Sequence, residues 1–142
     1  MRGDLLKRYN RFKKAIELLS TLSKTNPDKI VNDYTLLSSL ERNIQLAVEF
    51  LIDLSNYILS ESVGEVPDTY KEIVAKTGEL CDLEKELVKE VRGIIGLRNI
   101  IVHLYADIDY DVILSELGNI IDEILAYVSK LFECIDKRGL DP

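Results

Sequence analysis

One apolar stripe constrains this chain more than any other feature. Leu37, Leu40, Ile44, Ala47, Leu51, Leu54 and Ile58 recur at spacings of three and four without a break, the period of one face of an α-helix. The pattern predicts a helix from about Asp33 to Glu61, on the order of 43 Å long at 1.5 Å per residue. A small domain is only roughly 30 Å across, so one end should protrude, bend, or pack on a second subunit. Val63-Gly64-Glu65-Val66-Pro67 ends the helix with glycine and proline.

The flanking segments repeat the period. Leu5, Tyr9, Phe12, Ile16, Leu19 and Leu22 define a helix over roughly residues 4–24, with Arg8, Arg11, Lys13 and Lys14 on its other faces. Thr25-Asn26-Pro27-Asp28 interrupts it, because proline cannot continue a helix but suits the first turn of the next. Asp68 reads as the N-cap of a short helix from Thr69 to about Lys76, ended by Gly78. Asp82 reads as the cap of a fourth helix, whose apolar face is Leu83, Leu87, Val91, Ile94, Leu97 and Ile101. Gly93 and Gly96 fall inside it at about 1 kcal/mol each relative to alanine, and their spacing would let another backbone approach closely. Asp109 is placed to cap a last long helix, in which Ile113, Leu117, Ile120, Ile124, Tyr127, Leu131 and Ile135 keep the period until Gly139. With three prolines and seven glycines in 142 residues, a many-stranded fold lacks its turns. The expected fold is all-α: one domain over residues 1–142, an up-and-down bundle of four main helices plus one short helix.

Other counts narrow the chemistry. Cys81 and Cys134 have no C-x-x-C spacing and read as free thiols of a reducing compartment; with one histidine in the chain, a Cys/His zinc site is excluded. Residues Met1 to Arg8 contain no apolar signal core, and no uninterrupted apolar run approaches the roughly 18 residues of a membrane span. A cytoplasmic protein without membrane contact, metal or cofactor is expected. The net charge of −7 argues against a broad nucleic-acid surface, so any such contact must be local or assembled from more than one chain. Phosphate-binding glycine loops and the H-E-x-x-H zinc motif are absent.

What remains is the end of the fourth helix, Arg98-Asn99-Ile100-Ile101-Val102-His103-Leu104-Tyr105. Asn99 and His103 are four apart and only about 40° round a helix, within contact distance. Arg98 and His103 are five apart, about 140° round a regular helix. They converge only if the helix tightens, ends, or meets a second copy. A twofold dimer with this helix at its seam would set two arginines and two histidines around one cleft. Such a cleft suits a phosphodiester, since arginine offers a bidentate fork to phosphate and histidine moves protons near neutral pH. His103 is equally readable as a structural histidine complementing the dipole at a helix C-terminus.

The string Leu97 to Tyr105, with Arg98-x4-His103-x-Tyr105 at its centre and Asp107-Ile108-Asp109 and Val112 after it, resembles the R-x4-H-x-Y signature of HepT-like toxins. These belong to the HEPN superfamily (higher eukaryote and prokaryote nucleotide-binding domains). The resemblance extends to chain length, helix order and the long second helix. It implies a homodimeric, metal-independent ribonuclease acting as the toxin of a toxin–antitoxin pair, with RNA as substrate. It also implies a nucleotidyltransferase antitoxin similar to MntA, which silences the toxin by transferring AMP to the motif tyrosine. On this resemblance Arg98 and His103 are catalytic, Asn99 supports them and Tyr105 accepts AMP. The alternative from another class is a non-catalytic helical partner of a nucleotidyltransferase.

Overall fold

The computed structural model describes residues 1–103 and 108–142, and within them the chain forms six α-helices. These are α1 (Gly3–Ser23), α2 (Pro27–Val31), α3 (Tyr34–Ser62), α4 (Tyr70–Leu80), α5 (Lys85–His103) and α6 (Tyr110–Lys137). The four long ones, α1, α3, α5 and α6, form the expected up-and-down bundle. Its directions follow from side-chain pairs: Arg8 of α1 meets Asp53 of α3 at 3.0 Å, while Tyr110 and Tyr127 of α6 reach Glu41 and Ser55 of α3 at 2.9 and 2.8 Å.

The stripe of α3 is the centre of the core. Leu40, Ile44, Ala47, Leu51, Leu54 and Ile58 are fully buried, and the α6 residues from Ile113 to Ile135 on the same period are buried against them. The buried part of α3 runs from Leu40 to Leu59, about 30 Å, so the helix is indeed longer than its core. Its first turns overhang the core, with Tyr34 84% exposed, and within the chain they are covered on one side by α2, whose Ile30 is fully buried. Asp33 starts α3 by accepting from the N–H groups of Thr35 and Leu36, and Asp109 starts α6 by accepting from Val112 N–H.

Pro27 opens the next helix, as its suitability for a first turn led one to expect; this is a single-turn helix of its own, α2, capped by the Asn26 side chain on Asp28 N–H. Three local expectations are corrected. Thr69, and not Asp68, caps α4, accepting from Glu72 N–H. Helix α4 then runs through Gly78, where a Cβ would sit 2.5 Å from Val88 Cγ2. That glycine is a contact point between α4 and α5 and not a terminator. Asp82 does not cap α5 either: it takes a left-handed φ of 54° in the α4–α5 turn, and α5 begins at Lys85.

The cysteines are the largest correction. Cys81 and Cys134 form a disulfide with Cα atoms 5.6 Å apart. Their separation of 53 residues concealed that α4 and α6 end side by side. The free-thiol argument for a reducing compartment therefore falls. No described helix is long and apolar enough to cross a membrane.

Candidate functional site

Arg98, Asn99 and His103 occupy the last two turns of α5, which stays α-helical through His103. Nothing tightens the helix between Arg98 and His103, so their separation of about 140° round the axis holds. Leu104 to Asp107 lie outside the described residues, and with them Tyr105, the expected AMP acceptor.

The structure brings Arg98 and Asn99 together: Arg98 Nη1 donates to Asn99 Oδ1 at 3.3 Å. Asn99 thus steadies the guanidinium. The arginine also lies over the ring of Tyr70, 5.0 Å from its centroid, a cation–π contact from the first residue of α4. Arg98 Nε is buried and has no hydrogen-bond partner among the described residues. An unmet buried donor costs roughly 1–3 kcal/mol. A buried guanidinium donor of this kind calls for an explanation. His103 is exposed in the last turn of α5.

The sequence reading missed Tyr70. A tyrosine opening a short helix belongs to no motif, and only the packing of α4 on α5 reveals its role. Tyr70 also lines a cavity of about 340 Å³ with Arg8, Arg11, Glu49 and Asp53. Within it, burial raises the Asp53 carboxyl above the usual range, against the pull of Arg8. The motif helix also carries apolar side chains outward, with Ile100 43% and Val102 36% exposed. Gly93 has nothing within 4 Å of a notional Cβ, and Gly96 would meet only the end of Lys71 at 3.4 Å. The close backbone approach expected at these glycines is therefore not made among the described residues.

A larger cavity, about 650 Å³, lies at the other end of the bundle beside the disulfide, lined among others by Leu83, Glu90, Lys130 and Cys134. It contains none of the motif residues. Among the described residues, no group of three or more His, Cys, Asp or Glu side chains is arranged to hold a metal ion.

Residues 12–131 match the ribonuclease HepT-like family. The chain belongs to that family. It is 28% identical over 92% of its length to the tRNA nuclease HepT of Aphanizomenon flos-aquae, covering 84% of that protein. The mRNA nuclease HepT of Shewanella oneidensis is 23% identical over 68% of this chain and 72% of its own. Among solved structures, a tri-AMPylated Shewanella oneidensis HEPN toxin in complex with an MNT antitoxin superposes with a TM-score of 0.82 at 19% identity, over 94% of this chain and 99% of that one. The all-helical HEPN fold expected from the sequence is the fold of this HepT-like chain.

Proposed function

We propose that this HepT-like chain is a metal-independent ribonuclease toxin whose site is shared by two copies of the chain. The observation that carries the reading is Arg98: half-buried, stacked on Tyr70, oriented by Asn99 and with no partner for its Nε among the described residues. In the proposed reaction the 2′-oxygen of the substrate attacks the adjacent phosphorus as the bond to the 5′-oxygen breaks, leaving a cyclic phosphate and a 5′-hydroxyl. Arg98 stabilises the charge gathering on the phosphoryl oxygens. His103 takes the proton from the 2′-hydroxyl or returns one to the leaving oxygen. Reaction through the RNA's own 2′-hydroxyl needs no metal ion. Because α5 is regular to its end, the arginine of one chain and the histidine of its partner are the pair that meets. The exposed Ile100 and Val102 supply apolar surface for that seam.

Tyr105 is proposed as the acceptor of AMP from an MntA-like nucleotidyltransferase. The modified toxin bound to an MNT antitoxin, the fold relative described above, supports this role. An AMP group two residues beyond His103 would add bulk and negative charge where RNA phosphate must sit, and so would block the site. A toxin directed at cellular RNA acts in the cytoplasm.

The test is expression of wild type and His103→Ala without antitoxin, with growth and RNA integrity followed over time. Wild type should arrest growth and cut RNA, and His103→Ala should do neither. If both are equally harmless and no RNA is cut, the ribonuclease reading fails and the non-catalytic partner reading replaces it. Intact mass after co-expression with the nucleotidyltransferase checks Tyr105: an AMP addition should appear and be lost in Tyr105→Phe.

A further inference from the structure

The acidic net charge hides a strong asymmetry. Residues 1–14 hold six of the lysines and arginines and a single acid, Asp4, whereas the rest of the chain holds twelve against twenty-four. Most of the six lie on α1. Spacings of four and three place Lys7, Arg11 and Lys14 within about 60° of one another round that helix, and all three are exposed. Arg11 lines the cavity that Tyr70 closes, so this stripe flanks it. Arg8, on the inner side, is already engaged by Asp53 at 3.0 Å and Asp4 at 3.5 Å. Lys13 points away, over the Tyr9 ring at 4.9 Å.

We propose that Lys7, Arg11 and Lys14 form a track for the phosphate backbone of single-stranded RNA, leading across Tyr70 to Arg98. The inference rests on the ribonuclease reading and names where its substrate lies beyond the scissile bond. Two observations favour RNA as occupant. A cationic stripe beside an aromatic ring is the combination that holds single strands without reading sequence. The stripe is also continuous with the motif, because the ring that closes its cavity carries Arg98. It explains how so acidic a chain could hold a polyanion: the phosphates meet its basic N-terminal helix.

The test uses the full chain carrying His103→Ala, so that RNA is not consumed, and a labelled single-stranded oligoribonucleotide titrated by fluorescence anisotropy at several salt concentrations. Adding Lys7→Gln, Arg11→Gln and Lys14→Gln together should weaken binding about tenfold and flatten the slope of log affinity against log salt by about 2. Lys13→Gln should change neither. Glutamine keeps the helix, and a circular dichroism melt checks that the variants fold. In the active background the triple variant should raise KM about tenfold and leave kcat within about twofold.

The inference is overturned if the triple variant binds like its parent, or if Lys13→Gln weakens binding as much as the triple. It is also overturned if the triple loses the nucleotidyltransferase partner while keeping RNA, which would assign the stripe to a protein. Binding through the stripe by a protein that cuts no RNA would sink the ribonuclease reading and leave the track standing. Cleavage unaffected by the triple would do the reverse.

Discussion

The two ends of α5 are built on opposite principles. At its start, the neighbouring elements are tied together within the chain. Gly78 lets Val88 approach α4, the disulfide joins the end of α4 to α6, and Arg138 of the α6 C-cap donates to the Leu80 carbonyl at 3.2 Å. At its far end, Gly93 and Gly96 meet no backbone, Ile100 and Val102 are exposed, and Arg98 Nε has no partner, all among the described residues. The first end is finished by folding. The second is left open within the described chain, and on the proposed reading it is finished by what binds there.

This contrast can be broken at several points. The largest expected effect is on activity: Arg98→Ala and His103→Ala should each lower RNA cleavage by about 10²–10⁴-fold, with little change in unfolding midpoint. Reducing the disulfide should cost about 2–4 kcal/mol of stability in denaturant titrations, while leaving the cleavage rate of the folded protein unchanged. A parallel loss of rate would mean that the ends are coupled. Gly78→Ala forces a methyl group onto Val88 and should destabilise the chain by about 1–3 kcal/mol.

Gly93→Ala is the smallest and most discriminating. With open space around it, alanine should stabilise the isolated chain by about 0.5–1 kcal/mol. If a second chain packs there, the same substitution should weaken the dimer in analytical ultracentrifugation.

The division also explains what could be read from the sequence. The long stripes of α3 and α6 were legible residue by residue, because burial on one face writes its period directly into the chain. The caps Asp33 and Asp109 were legible because their partners lie two or three residues away. Gly78 and Asp82 were misassigned because tertiary contact with Val88, and a turn with a left-handed residue, look locally like a helix end and a helix cap. The disulfide was invisible because nothing local links positions 53 residues apart. At the motif, Arg98, Asn99 and His103 were recognisable by their pattern. Tyr70 was not, since its role exists only once α4 lies against α5. The basic stripe of α1 was masked by the net charge, which averages over the two populations.

The central claim is that Arg98 and His103 act together across two chains. It is tested most directly by mixing. Arg98→Ala and His103→Ala proteins, each inactive alone, are unfolded together, refolded as a mixture, and assayed for RNA cleavage. Random pairing gives heterodimers in which one of the two shared sites has both residues intact, so roughly a quarter of wild-type activity should return. A mixture as inactive as its components would contradict the account and place each site within a single chain.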